Sequence, residues 1–172
     1  MLNEIKWPEN YLPGTTDNFA SNEIIVKGIT AEDVFDNLID TSIWTSYYDN
    51  MADVVFHNTE GTVLKADTKF AFKTFGFPIE AEIVEFVPPK AGQPGRLAWH
   101  GWAEGDADHR LDVIHAWLLE DLSHDRVRIL TPESQIGKPA IELFASHPDT
   151  MNMGHQDWIK GLAKTVLESK GL

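Results

Sequence analysis

Hydrophobic residues recur with two different periods along the chain, and the first elements combine both. After an irregular arm over residues 1–17, the alternating segment NFASNEIIVKG is typical of a β-strand. In the next segment, TAEDVFDNLID, Thr30 occupies the N-cap position and Asp33 follows three residues later, a variant of the capping box that begins a helix. The aromatic residues of SIWTSYYDN are spaced by three and four, which predicts a second short helix with its aromatic side facing inward.

From Val54 onwards the period changes to two. The alternating or β-rich segments are DVVFHN, TVLKAD, TKFAFKTFGF, IEAEIVEFV, RLAWHGWAE, RLDVIHAWLLED and DRVRILTPES. Short turns separate them and leave no room for parallel crossovers, so we expect an antiparallel meander. From Pro139 the period is helical again, with Pro148 interrupting the run and Asp149 placed to cap a long amphipathic helix. The pattern therefore predicts a single α+β domain over residues 1–172, in which a curled antiparallel sheet wraps around the C-terminal helix.

Five segments in a fixed order carry a resemblance to a known family: GFPIEAEIVEFVPP, GRLAWHGWAEG, IHAWLLED, RVRILTPESQIG and GHQDWIKGLAK. In this order the chain resembles the START-like superfamily, also called the SRPBCC or polyketide cyclase/dehydrase group, over nearly its whole length. More narrowly, it resembles the branch related to the activator of the heat-shock chaperone ATPase. The resemblance implies the helix-grip fold. It implies much less about function, because the superfamily includes lipid carriers, hormone receptors and cyclases.

Charge and cysteine content exclude several classes of function. The chain has 14 Lys and Arg against 27 Asp and Glu, a formal net charge of -13, which repels phosphate backbones and anionic membranes. With no cysteine there is no disulfide framework, thiolate nucleophile or Cys-ligated zinc. The start of the chain lacks the pattern of a signal peptide, and no apolar run is long enough for a membrane helix. We therefore expect a cytoplasmic protein with no nucleic-acid partner and no membrane insertion.

Large amphipathic rings are concentrated in RLAWHGWAEGDADHRLDVIHAWLLED, which holds three of the six tryptophans and three of the seven histidines. Alternation places Trp99, His115 and Trp117 on the inward face, while the facing of Trp102 stays open because a bulge at Gly101 could change the phase. Indole and imidazole each carry a polar nitrogen that needs a partner when buried, so these rings either line a pocket or fill a core with unusual side chains. We expect a small hydrophobic ligand, aromatic or polyketide-like, in a cavity between the sheet and the last helix. The predicted ligand-binding residues are Tyr47, Tyr48, Phe70, Phe72, Trp99, Trp117, Thr131, Met151, His155 and Trp158.

Three hypotheses of function remain open at this point. The first is ligand binding alone. The second is an enzyme of the cyclase or dehydratase type, in which His115 acts as general acid or base and Glu133 orients it. That hypothesis requires Glu133 to face inward, and its position near a strand end leaves this undecided. The third is a chaperone-associated or other protein-interaction module, whose hollow is filled by its own side chains and whose partner is a protein.

Metal and cofactor chemistry find little support in the sequence. His115, Glu133 and His155 could together offer two imidazoles and one carboxylate, but they come from separate elements without diagnostic spacing. There is no H-E-x-x-H motif, Walker sequence, dinucleotide glycine fingerprint or nucleophile elbow. We therefore expect no metal and no cofactor.

Overall fold

A computed structural model of the chain describes residues 1–172 and contains seven strands and four α-helices. Short 3-10 turns lie at Glu9–Tyr11 and Thr41–Ile43. The elements in chain order are β1 (Asn18–Lys27), α1 (Ala31–Ile39), α2 (Trp44–Tyr47), β2 (Met51–Phe56), β3 (Lys69–Thr74), β4 (Phe77–Val87), β5 (Gly95–Ala103), β6 (Leu111–Leu122), β7 (Arg126–Ile136), α3 (Lys138–Phe144) and α4 (Thr150–Ser169).

All seven strands form one antiparallel sheet in the order β1-β7-β6-β5-β4-β3-β2. The meander from β2 to β7 is a run of neighbouring hairpins, and β1 pairs with β7 at the far end. The sheet curls around α4, which packs against β1, β7, α1 and α2. The predicted helix-grip fold is confirmed.

Local helix signals also act as predicted. Asp33 N–H donates to the Thr30 hydroxyl and Thr30 N–H donates to the Asp33 carboxylate, which completes the capping box of α1. At the start of α4 the Asp149 carboxylate accepts a hydrogen bond from Asn152 N–H. No helix of the chain is both long enough and apolar enough to cross a bilayer.

One predicted strand, TVLKAD, is wrong. Residues 62–67 contribute only an isolated bridge between Val63 and Asp40. Leu64 is fully buried and its N–H donates to the Ile39 carbonyl at the end of α1, while the Thr68 hydroxyl accepts a hydrogen bond from Lys65 N–H and turns the chain. The segment alternates because the buried Leu64 lies between solvent-exposed neighbours. Its backbone is hydrogen-bonded to the end of α1 and not to a strand.

The hydrophobic core lies between the inner face of the sheet and helices α1, α2 and α4. Its largest side chains are four tryptophans, each 2% exposed or less. Trp158 of α4 is at the centre, with ring centroids 5.4, 6.1 and 5.1 Å from those of Trp44, Trp99 and Trp117. Aromatic pairs in this range contribute beyond the area they bury. This cluster fixes the position of α4 against the sheet.

The N-terminal arm covers part of the outer face of the sheet. Asn3 bonds Glu120, and its carbonyl accepts a hydrogen bond from Arg128. Arg128 also pairs with Glu23 at 2.7 Å and with Glu120 at 3.3 Å, so it is buried although alternation places it on the solvent side. Alternation in DRVRILTPES predicts that Arg128 faces solvent, and this is wrong because the arm and its acidic partners cover the side chain.

Candidate functional site

A cavity of about 40 Å³ lies between the inner face of β3–β7, helix α4 and helix α3. One water needs about 10–15 Å³ of such space, so the cavity has room for roughly three waters. Ten of its fifteen lining residues are hydrophobic. The lining residues are Phe72, Thr74, Phe75, Phe77, Ile79, Trp99, Leu111, Val113, His115, Glu133, Gln135, Leu143, Met151, His155 and Trp158.

Three ionisable side chains meet in the wall of this cavity. His115 and Glu133 lie opposite each other in the register of β6 and β7. His155 projects from the buried face of α4. Each of the three offers one ligand atom, and these atoms lie within 4.8 Å of one another. We refer to His115, Glu133 and His155 as the inner cluster.

His115 is oriented by Thr131. The distance from His115 Nε2 to Thr131 Oγ1 is 2.8 Å, and the same hydroxyl donates to the Ala116 carbonyl at 3.1 Å. Because the hydroxyl proton is used on the carbonyl, Thr131 Oγ1 accepts from His115, which fixes the proton on Nε2. The Nδ1 atom of His115 is therefore left with its lone pair.

Glu133 meets His155. The distance between Glu133 Oε2 and His155 Nε2 is 3.3 Å, and both side chains are almost completely buried. Burial raises the pKa of the Glu133 carboxyl to about 8, against an opposing hydrogen bond with Gln135. Burial also lowers the pKa of His155 to about 4, with the Asp149 charge opposing it. Although the separation is that of an ion pair, desolvation favours the neutral carboxyl and the neutral imidazole at pH 7.

His115 is neutral for a similar reason. Burial, and then the neighbouring His155, hold the pKa of His115 well below its usual range. The centroids of the two imidazoles are 4.7 Å apart, and Trp99 lies 4.8 Å from His115. At neutral pH the inner cluster thus presents uncharged hydrogen-bonding groups to an otherwise apolar cavity.

Several buried polar atoms around the site have no hydrogen-bond partner within the chain. They include Tyr47 Oη, Tyr48 Oη, Trp117 Nε1, Trp158 Nε1 and His155 Nδ1. Buried polar groups in proteins are normally hydrogen-bonded, so a group of unpaired ones marks a place with unused bonding capacity. Of these atoms, those of Trp158 and His155 belong to residues that line the cavity.

The structure divides the predicted site residues into two groups. The lining of the cavity includes Phe72, Trp99, His115, Glu133, Met151, His155 and Trp158. Five others lie just behind that wall: Tyr47, Tyr48, Phe70, Trp117 and Thr131.

The second group supports the first through direct contacts. Tyr48 stacks on Trp158 at 4.6 Å, Phe70 stacks on Phe72 at 5.6 Å, and Trp117 stacks on His115 at 5.5 Å. The Tyr47 backbone lies so close to Gly161 of α4 that a Cβ there would be 2.4 Å from the Tyr47 carbonyl oxygen. Glu133 faces inward, and its histidine partner is His155, while Thr131 takes the orienting role toward His115.

Other lining residues are not among the predicted site residues, although alternation places Ile79, Leu111 and Val113 on the inward face. Gln135 shares the inner face of β7 with Glu133, so alternation alone indicates it. Phe75 has a φ of 49° in the turn between β3 and β4, where alternation does not apply. Its ring rests on Gly154 of α4, because a Cβ on that glycine would lie 2.4 Å from Phe75 Cζ. Leu143 comes from α3, and nothing local in the sequence places that helix beside the cavity.

Among solved structures, the chain is similar to the 1.88 Å crystal structure of the hypothetical protein jhp0584 from Helicobacter pylori. The two are 48% identical with a TM-score of 0.92, and the match covers 96% of this chain and 98% of the other. This chain belongs to the jhp0584 family. No protein-family model and no curated protein matches the sequence.

More distant structures share the fold of this family. The di-domain ARO/CYC StfQ from the steffimycin biosynthetic pathway is 10% identical with a TM-score of 0.63, over 91% of this chain and 54% of that one. Norcoclaurine synthase from Thalictrum flavum, in complex with a transition-state analogue, is 11% identical with a TM-score of 0.61, over 89% and 96% of the two chains. At these identities the likeness is one of architecture, and it agrees with the START-like resemblance of the sequence.

Proposed function

We propose that the chain binds a small hydrophobic, aromatic or polyketide-like molecule in the cavity between the sheet and α4. The observation that carries the proposal is the division of the cavity wall. Aromatic and aliphatic side chains form most of it, and the neutral inner cluster supplies its few polar groups. Apolar pockets with sparse polar anchors are the usual construction of small-molecule sites. A ring would pack on Trp99 and Trp158, while a carbonyl or hydroxyl of the ligand would bond Glu133 or His155.

Ligand entry requires one part of the wall to move, because about 40 Å³ does not hold an aromatic ring. The candidates are Phe75 in the β3–β4 turn, Phe77 at the start of β4 and Leu143 in α3, which are half-buried or exposed. The rest of the wall belongs to central strands and to the face of α4 held by the tryptophan cluster. We infer that the β3–β4 turn and α3 separate when the ligand enters.

A fluorescence titration tests this proposal. The protein is titrated with an environment-sensitive apolar dye, which is then displaced by a panel of aromatic and polyketide-like compounds. Because Trp99 and Trp158 line the cavity, we expect saturable one-to-one binding that quenches tryptophan emission.

A pair of matched substitutions locates the binding. Val113→Phe fills the cavity and should abolish dye binding, while Val84→Phe changes an exposed valine and should leave it intact. Binding that survives Val113→Phe would place the dye elsewhere. Absence of saturable binding in the unchanged protein would favour the narrower resemblance to the chaperone activator, with a filled core and a protein partner.

A second candidate function, proton transfer on the bound molecule, is favoured by the unprotonated Nδ1 of His115. In an enolisation, His115 Nδ1 would take the proton from the carbon next to a ligand carbonyl, and the C–H electron pair would form the new C=C bond. The Glu133 carboxyl would give its proton to the carbonyl oxygen. Such general acid–base steps contribute about 10²- to 10⁴-fold.

Hydrogen–deuterium exchange of a bound ketone tests this second candidate. We expect His115→Gln to slow exchange at the α-carbon by about 100-fold while dye binding stays within a few-fold. Equal exchange rates in the unchanged protein and in His115→Gln would contradict proton transfer by His115 and would leave ligand binding as the proposed function.

A further inference from the structure

We propose that His115, Glu133 and His155 form a binding site for one divalent metal ion of the Zn²⁺ or Fe²⁺ type. Two imidazoles and one carboxylate are a donor set that such ions favour, with open positions left for water or a ligand. The site does not depend on the proposed organic ligand, because metal binding can be measured without it.

The distances require only small movements of side chains. Donor atoms around a tetrahedral ion with bonds of about 2.1 Å lie roughly 3.4 Å from one another. Glu133 Oε2 and His155 Nε2 are already 3.3 Å apart, and the third ligand atom lies within 4.8 Å of both. Each remaining distance would need to shorten by no more than about 1.4 Å to close the set.

On both histidines, the hydrogen bonds within the chain leave one ring nitrogen available to bind a metal ion. His115 commits Nε2 to Thr131, which is the arrangement that orients metal-binding histidines and leaves the other ring nitrogen for the ion. His155 has no hydrogen-bond partner at Nδ1 and only the loose Glu133 contact at Nε2. Both residues are 3% exposed, and His155 Nδ1 is a buried atom with no hydrogen-bond partner.

The surroundings suit a reactive metal better than a purely structural one. The three protein ligands leave at least one position open, and the adjoining cavity has room for waters or for an oxygen atom of a ligand. No Lys or Arg lines the cavity to compete for the carboxylate. No local sequence motif predicts these three ligands together, because one comes from each of β6, β7 and α4.

Cobalt titration of the chelator-treated protein tests the site. Co²⁺ substitutes for Zn²⁺ and reports its ligands through visible absorption. We expect one Co²⁺ per chain, displaced by Zn²⁺, with Glu133→Gln and His155→Gln each weakening binding by at least about 100-fold. Thr131→Val keeps all three ligands but removes the acceptor that orients His115, and should weaken binding by about 10- to 100-fold.

The control is His100→Gln, which removes a histidine beside two carboxylates on the outer face. It should leave the Co²⁺ affinity unchanged. Near-UV circular dichroism of each variant shows whether the tryptophan cluster is intact.

A measurement on the unchanged protein covers the case in which a variant does not fold. On addition of Zn²⁺, the imidazole NMR resonances of His115 and His155 should shift and those of His100 should stay. Unaltered inner resonances, or Co²⁺ binding that survives Glu133→Gln and His155→Gln but not His100→Gln, would overturn the proposal.

Discussion

Similar groups of side chains lie on the two faces of the sheet, in opposite environments. On the inner face, Trp99 lies 4.8 Å from His115, and on the outer face Trp102 lies 4.9 Å from His100. Each histidine also has carboxyl groups nearby. Glu133 belongs to the inner cluster, while Asp112 and Glu82 flank His100 at 3.2 and 3.7 Å and form with it the outer cluster.

Solvent and countercharge distinguish the two clusters. In the outer cluster the side chains of His100, Asp112 and Glu82 are 25%, 23% and 43% exposed, and Arg110 bonds Asp112. The inner cluster has no cationic partner and lies among aromatic rings. Its carboxyl and imidazoles are therefore neutral. Burying an unsolvated charge without a countercharge costs more free energy than protonating the carboxyl or deprotonating the imidazole. The protonation state of these residues therefore depends on which face of the sheet they occupy, because the residue types in the two clusters are similar.

The largest expected difference between the faces concerns the tryptophans. Trp158→Ala removes the centre of the inner aromatic cluster and should lower the free energy of unfolding by about 3–5 kcal/mol. Trp102→Ala, on the outer face with its Nε1 bonded only to Glu104, should cost less than about 1.5 kcal/mol. Urea denaturation of both variants measures this, and equal losses would contradict the assignment of the core to one face.

The pH dependence of stability is the next effect, measured on chelator-treated protein. Between about pH 4 and 6.5 the unfolded chain binds more protons at His115 and His155 than the folded chain does, and this outweighs the opposite contribution of Glu133, so stability rises with pH. Above about pH 6.5 the unfolded histidines lose their protons, and the larger difference becomes the proton that the folded chain keeps on Glu133. Its raised pKa stabilises the fold at low pH, and that contribution is lost as pH rises to about 8.

The inner cluster therefore favours a stability maximum near pH 6.5, with a decrease of about 1 kcal/mol by pH 8. Glu133→Gln should remove the alkaline decrease, and Glu82→Gln in the outer cluster should leave it. Denaturation series across this range measure both. A decrease that persists in Glu133→Gln would assign the titration to another group.

The smallest expected effect is in the outer cluster. Asp112→Asn removes the charge that pairs with Arg110 and His100 at the surface, and such pairs contribute at most about 1 kcal/mol. The loss should shrink further in high salt because ions screen exposed charges. A salt-independent loss of several kcal/mol would show that the outer cluster is structural.

Much of the comparison follows from alternation in the sequence. Period two alone puts Trp99 and His115 on the inner face, and it puts Trp102 outside once the absence of a bulge at Gly101 is known. It fails where tertiary contacts control the backbone, as in residues 62–67, or where the chain turns, as at Phe75.

The meeting of the inner cluster could not be predicted from local sequence. It requires the β6–β7 register that sets His115 opposite Glu133, and the docking of α4 that brings His155 to them. Both depend on packing between elements that are distant along the chain. The burial of Arg128 also depends on a contact between distant parts of the chain, because the N-terminal arm that covers it is more than a hundred residues away in sequence.

¹⁵N NMR of the imidazole rings at pH 7, before and after addition of the compound that best displaces the dye, tests most directly whether the pocket is neutral and binds a ligand. We expect His115 to be neutral with its proton on Nε2 and His155 to be neutral, and we expect the compound to shift both rings while His100 is unaffected. Charged inner histidines, or a compound that shifts His100 and leaves the inner rings unchanged, would contradict a neutral ligand-facing pocket beneath the sheet.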